Sequence, residues 1–286
     1  MKSLLKKLIT KAVENNHIWA ILDVAFIKAA SYASHERKMV YKNKYNKQSL
    51  TILESLSQDL SVLHGPFKGM LYPEFKSVGS AIAPKVLGSY ERELHQILEE
   101  ICLNDYSEIV DVGCAEGYYA VGLAMRLPKA KVFAFDTDVD AIRLCKQMAQ
   151  LNKVAERIII GSFCDAKVLQ SIPYTKRALI ISDCEGYEKQ LFTKDTVPIL
   201  ATHDLLIEVH DFLDIEISSV IRQRFEGTHS ITTIRSIDDI TKAHTYEYDE
   251  LEKYSLDVRR RFLAENRPHI MEWLYMTPFE NSIHLN

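Results

Sequence analysis

From residue 107 onward, short apolar runs alternate with longer amphipathic ones. Glu108–Val112, Lys131–Phe135, Arg157–Ile160, Leu179–Ser182 and Leu205–His210 are short runs rich in β-branched and other apolar residues, the pattern of buried strands. Between them, Tyr118–Leu127 and Val139–Leu151 carry helical spacing, and Tyr187–Leu200 is mostly helical. Strands separated by helix-length segments predict a parallel sheet with helices on both faces. Two later strands, Ser230–Ile234 and Met271–Tyr275, flank a charged helical insertion at 238–266. The expected fold class is therefore α/β, a Rossmann-like sheet of seven strands.

The first part of the chain reads differently. Leu4, Leu5, Leu8, Ile9 and Val13 recur at helical spacing, a second stripe runs through Trp19, Ile21, Leu22, Phe26 and Ile27, and a third helix is expected over Ser49–Leu63. No Gly or Pro precedes Gly65, as in a continuous helical region. Residues 1–62 are thus expected to form a helical N-terminal cap, with a membrane-surface or partner helix as the competing reading. Residues 63–88 form a linker in which two glycines and two prolines bracket Phe67 and Lys68. That arrangement predicts a turn or short hairpin, then a loop through Gly79 and Pro84. The main domain is expected over 89–286, opening on a helix from Ser89 to about Leu103 with Glu91 and Glu93 in its first turn.

Charge sharpens this division. The chain has 286 residues and a formal net charge of −4, but residues 1–50 hold ten Lys/Arg against three Asp/Glu. The rest holds 25 against 36. A basic arm on an acidic body argues against nucleic acid as a partner and leaves weak peripheral membrane contact to the arm. The five cysteines include no C-x-x-C pair, against a disulfide framework or a cysteine-type zinc site. No run has the length of a membrane span, because Asp23 and Lys28 interrupt the nearest candidate. A cytoplasmic enzyme is the expectation.

The sharpest chemical signal is Asp111-Val112-Gly113-Cys114-Ala115-Glu116-Gly117. An apolar strand ends in an acid, and Gly-x-x-x-Gly opens a helix. Glycine at 113 allows close approach to the backbone, and Gly117 lets the helix pack tightly with its N–H groups open to an anion. Ala115 stands where the dinucleotide fingerprint needs its second glycine. The spacing resembles the first motif of class I S-adenosylmethionine-dependent methyltransferases. That resemblance implies that Asp111, Gly113, Glu116 and Gly117 hold the methionine part of the cofactor. Asp136, 25 residues after Asp111, ends the next strand, where a carboxylate can accept two ribose hydroxyls. After the third strand, Phe163 is placed to lie against the adenine and Asp165 to accept its amine, with helix capping as the alternative for both Asp136 and Asp165.

The fourth and fifth strands end in Asp183-Cys184-Glu185-Gly186-Tyr187-Glu188 and in Glu208-Val209-His210. With the first motif, these resemble the FkbM-type methyltransferases over about residues 105–215, although Ala115-Glu116 stand where that family often has Asn. The resemblance implies O-methylation of sugars and secondary metabolites. A sugar hydroxyl is a poor nucleophile near neutral pH, so a base or metal is needed. Glu208 and His210 share a strand face. His210 is the expected general base, oriented by Glu208 or Asp183. The same three residues are an alternative ligand set for a divalent cation such as magnesium, and loop braces are a third reading.

Tyr90 and Glu91 lie on the helix that covers the cofactor in that fold, and an ordinary helix start competes with contact. Arg259-Arg260-Arg261 suits an acidic acceptor or a solvated helix face, and Tyr246-Glu247-Tyr248 suggests a lid by position. Two further readings of the whole chain stay open. One is a nicotinamide-dependent oxidoreductase, and the other is a non-catalytic cofactor-binding protein.

Overall fold

The computed structural model describes residues 48–57 and 59–279. The stripes expected before residue 48 lie outside the described residues. The chain divides into two units, Met1–Thr51 and Ile52–Asn286. The sheet and the candidate site both belong to the second. Residues 48–56 are helical and the expected continuation to Leu63 is absent, since Leu60 takes a left-handed φ of 56°. A single antiparallel bridge between Ser61 and Leu71 closes the Gly65–Gly69 turn.

Seven strands form one sheet in the order β3-β2-β1-β4-β5-β7-β6. They are β1 Glu108–Val112, β2 Lys131–Phe135, β3 Ile158–Gly161, β4 Leu179–Ser182, β5 Asp204–Val209, β6 His229–Arg235 and β7 Glu272–Pro278. The first five run parallel, and β7 enters antiparallel between β5 and β6. This is the seven-stranded, Rossmann-like α/β sheet expected from the alternation, with β7 antiparallel. Side chains of period two divide β1 between two cores: Ile109 joins one cluster, and Val110 and Val112 the other. Asp111 shares the face of Ile109 and is buried.

The helices are α1 Ile82–Leu87, α2 His95–Ile101, α3 Tyr118–Arg126, α4 Val139–Leu151, α5 Ala166–Ser171, α6 Glu188–Leu191, α7 Val197–Leu200, α8 Ile217–Phe225, α9 Asp239–Thr245 and α10 Leu256–Leu263. Asp138 caps α4 by accepting from the Asp140 and Ala141 N–H groups, and Asp238 caps α9 in the same way.

Three differences from the sequence pattern have local causes. The expected 89–103 helix shortens because Glu91 adopts φ 47° and turns inward, leaving a short 3-10 turn before α2. The expected loop at Pro84 contains α1, where Pro84 sits in the first turn and its missing N–H costs nothing. The 187–200 stretch splits into α6 and α7.

Candidate active site

Two chambers meet at the C-terminal ends of the parallel strands, where ligands bind in open α/β sheets. The larger, about 290 Å³, lies among the loops after β1, β2, β3 and β4 and is closed by the 78–90 segment. The smaller, about 120 Å³, lies beyond β4 and β5 and is closed by residues 265–268. Tyr90, Asp183 and Glu185 line both.

The larger chamber is built on the 113–117 loop. Gly113, Ala115 and Gly117 all have left-handed φ, at 85°, 47° and 97°. A Cβ at Gly113 would lie 1.8 Å from the Asp183 carbonyl oxygen. The close approach that needs glycine is thus between two strand-end loops, where the sequence suggested a ligand. Gly113→Ala is expected to cost about 3 kcal/mol, from overpacking and a disfavoured φ. Urea unfolding of the two proteins measures it, and a cost below about 1 kcal/mol refutes this account. At Gly117 a Cβ would meet Cys145 Sγ of α4 at 2.9 Å, as tight helix packing requires.

Asp136 lines the larger chamber. Its Oδ2 accepts from Ala115 N at 2.8 Å and its Oδ1 from Asp138 N at 2.8 Å. It is not the cap of α4, a place taken by Asp138. Each oxygen keeps a lone pair for a further donor. Phe163 also lines the chamber, 52% exposed, with its ring centroid 5.5 Å from that of Tyr187.

Other expected cofactor contacts lie behind the wall. Asp165 caps α5 through Val168 N at 2.9 Å and does not line the chamber. Glu116 faces the 72–85 segment, accepting from Lys85 Nζ at 2.6 Å, Ser77 Oγ at 2.9 Å and Val78 N at 3.0 Å. It therefore ties that segment to α3.

Asp111 is buried under the first turn of α3, and its Oδ2 has no hydrogen-bond partner among the described residues. Burial pushes its carboxyl up to about 7, against the Ala120 N–H, and Asp183 and Asp136 add to the rise. A carboxyl raised in the fold costs nothing below its unfolded value and destabilises increasingly as pH climbs to its folded value. Asp111→Asn is therefore expected to stabilise the ligand-free protein by on the order of 2–4 kcal/mol at pH 8. The gain should vanish near pH 4. Urea unfolding at both pH values checks this, and equal effects at both would refute it.

The smaller chamber centres on His210, which is buried. Its Nδ1 donates to Glu188 Oε1 at 2.6 Å. Its Nε2 faces Asp183 Oδ1 at 3.4 Å, Glu185 Oε2 at 3.5 Å and Glu208 Oε2 at 3.8 Å. Glu188, the last residue of the Asp-x-Glu-Gly-x-Glu element, thus orients the ring, a role the sequence pattern assigns to Glu208 or Asp183. Burial alone would lower the imidazole. Its hydrogen bonds to Asp183 and Glu188 and the surrounding carboxylates outweigh burial and push it up to about 10. Near neutral pH the ring is an imidazolium, which does not accept a proton.

Asp183 has the opposite sense. Burial would raise it, but the His210 imidazolium beside it and the more distant Arg267 hold it below its usual range. Its Oδ1 is buried and faces His210 Nε2.

Arg267 was not signalled by the sequence. It reaches in from the end of the insertion, 15% exposed, and pairs with Glu91, Glu208 and Glu265. Glu265 also pairs with the fully buried Lys242 of α9. Glu208 is thereby committed to Arg267. The trio whose ligand atoms lie within 4.8 Å of one another is Asp183, Glu185 and His210, so Glu185 takes the place expected for Glu208. With Nε2 deprotonated, this trio would offer two carboxylates and an imidazole nitrogen, a donor set suited to manganese or zinc more than to magnesium.

Tyr246 and Tyr248 are buried: Tyr246 bonds Glu93 and both rings lie under Arg92. They form part of the packed body rather than a lid. Arg261 pairs with Asp257 and Arg259 donates to the Tyr246 carbonyl. Among the described residues, no helix is long and apolar enough to cross a membrane.

Residues 103–185 match a family model described as a methyltransferase domain. A release factor glutamine methyltransferase of Chlorobaculum tepidum is 39% identical over 69 residues, covering 22% of this chain and 24% of that protein. The chain thus spans about a quarter of that relative's length. A probable cobalt-precorrin-6B C(15)-methyltransferase (decarboxylating) of Pyrobaculum calidifontis is 25% identical over 151 residues, 48% of this chain and 77% of that one. Among solved structures, the O-methyltransferase TomG of Streptomyces achromogenes in complex with SAM has a TM-score of 0.43 and 11% identity, covering 66% of this chain and 80% of that chain.

Proposed function

We propose that this protein is an S-adenosylmethionine-dependent methyltransferase acting on a hydroxyl oxygen of a small-molecule acceptor. The observation that carries the reading is the shared wall: Asp183 lines both chambers with its side chain 31% exposed. The methyltransferase-domain match over 103–185 supports the reaction class. The resemblance of Asp183–Glu188 and Glu208–His210 to FkbM-type enzymes supports oxygen as the acceptor atom.

Bound in the larger chamber, S-adenosylmethionine supplies an electrophilic methyl group. The chain's residues do the rest. Gly113 and Asp136 bind the cofactor, and Phe163 offers a ring face. The exposed part of the Asp183 carboxylate accepts the acceptor hydroxyl's hydrogen bond, aims its oxygen and takes its proton as the new O–C bond forms and the methyl–sulfur bond breaks. The methylated oxygen is a strong acid at that moment, so a carboxylate of low pKa suffices. His210 keeps Asp183 ionised and sits fixed on Glu188. A divalent cation held by Asp183, Glu185 and His210 would polarise the acceptor oxygen. The carboxylate-rich smaller chamber disfavours a polyanionic acceptor.

The test is a calorimetric titration with S-adenosylhomocysteine and with NADH. It is followed by tritiated methyl transfer to sugars and polyols, with and without divalent metal. Binding of S-adenosylhomocysteine but not NADH, and label recovered as a methyl ether, are expected. Binding of NADH alone would replace this reading by the oxidoreductase one. Binding without transfer to any acceptor would favour a non-catalytic cofactor-binding protein. Label on nitrogen or carbon would overturn the hydroxyl acceptor.

A further inference from the structure

We infer that Lys85 is the residue that receives the carboxylate of the cofactor's methionine. The inference rests on the cofactor reading above and adds a residue that neither the glycine loop nor the strand-end acids signal.

The larger chamber is lined by three acidic side chains, Asp136, Asp183 and Glu185, and by one cationic side chain, Lys85. An anionic group entering such a space loses its water and meets like charge, which is costly unless a cation stands opposite. The cofactor brings one carboxylate, on its amino-acid end. The adenosine end is accounted for by Asp136 and the loop after β3. The amino-acid end is left to the region of Gly113, Tyr90 and Lys85, beside the chamber junction.

Lys85 is built into place. Its side chain is 3% exposed, and it stands on α1, which Gly88 ends in a left-handed turn packed on the His64 backbone. A Cβ at Gly88 would fall 2.0 Å from the His64 carbonyl oxygen, so the helix end has one seating. The ammonium lies 4.8 Å from the Tyr90 ring centroid and donates to Glu116 Oε1 at 2.6 Å. An ammonium carries three N–H donors, and Glu116 is the sole acceptor it meets among the described residues. Its other two donors meet no oxygen or nitrogen acceptor among the described residues, the ammonium otherwise facing the Tyr90 and Tyr118 rings at 4.8 and 5.5 Å, and Lys85 lines the chamber. Glu116 holds the amine in position through one oxygen while its own remaining contacts go to Ser77, Val78 and Tyr72. The buried carboxylate thus orients a lysine that still has donors to offer.

The test compares ligands that differ only at the amino-acid end. S-adenosylhomocysteine, its carboxamide and 5′-methylthioadenosine are titrated by calorimetry against the full chain. The variants are Glu116→Gln, and Lys85→Met with Glu116→Gln, so that no lone buried carboxylate remains. In the wild type, the acid is expected to bind about thirtyfold tighter than its carboxamide, the effect of a hydrogen bond between charged groups. The double variant is expected to lose that preference and to bind 5′-methylthioadenosine as the wild type does. Glu116→Gln alone keeps the preference.

Equal binding of acid and carboxamide by the wild type overturns the inference without needing any variant to fold. A double variant that loses 5′-methylthioadenosine equally shows Lys85 to be a wall support and also overturns it. A wild type that binds none of the three removes the cofactor reading and, with it, this inference.

Discussion

Arg267→Met is expected to lower the stability of the folded protein by about 3–5 kcal/mol, the cost of leaving buried carboxylates without their cation. Arg267 is the common partner of Glu91, Glu208 and Glu265. Glu265 retains Lys242, but Glu91 and Glu208 retain no cation at hydrogen-bond distance; His210 stands 3.8 Å from Glu208. Burial already pushes Glu91 up to about 7 in the presence of Arg267, and Glu208 is raised well above its usual value. In the variant both must be protonated or stay charged in a dry site. The loss should therefore be small below about pH 4.5, where the unfolded carboxyls are also protonated, and should grow as pH rises. Urea unfolding at pH 4.5 and pH 8 measures it. Adding Glu208→Gln is expected to restore part of the loss at pH 8. A single-variant loss below about 1 kcal/mol at pH 8 would mean that the network is solvated and contributes little.

Asp183→Asn is expected to reduce methyl transfer by about 10²–10⁴-fold, the usual span for a positioned proton acceptor. Affinity for S-adenosylhomocysteine should change little, because Asn keeps the side-chain shape and Gly113 meets the main-chain oxygen of residue 183. The pH profile separates this account from one with His210 as base. With Asp183 held below its usual range, the rate should be flat from about pH 6 to pH 9. A histidine base near its ordinary value would instead give a rate climbing through about pH 6.5. The same shift has a stability consequence. His210 is raised in the fold to about 10. Its stabilising contribution is thus complete below the unfolded value and is lost as pH rises through the folded one. A rate that climbs about fourfold between pH 6 and pH 8 would return the base role to His210.

The centre of the sheet was legible because β1, β4 and β5 are short, largely apolar runs buried throughout, the pattern of strands covered on both faces. The glycine loop was legible for a related reason: few residue types tolerate the left-handed angles at 113 and 117. The purpose of Gly113 was not, because the Asp183 carbonyl that crowds it comes from a strand 70 residues later. Proline at 84 resembles a loop signal, although in a first turn it is compatible with helix. Asp165 and Glu116 have the right type and position for cofactor contact, and only packing reveals that each is spent on a backbone cap or a buried ion pair. Arg267 left no local trace at all. Two of its three partners lie 59 and 176 residues away in sequence, and an arginine beside Glu265 in a charged stretch looks like surface. Glu188 stood inside the recognised element, yet its role depends on α6 carrying it under the His210 ring.

The helical insertion between β6 and β7 delivers Glu265 and Arg267 to the smaller chamber and contributes nothing to the lining of the larger one. The molecule is in this respect modular. Exchanging the stretch between Arg267 and the start of β7 is expected to reshape the smaller chamber while leaving the lining residues of the larger one in place. The interchangeable portion is bounded, because Arg267 fastens the insertion to Glu91 and to the end of β5. A designer seeking new acceptors would keep that fastener and vary Pro268–Met271, the short strip that completes the chamber rim.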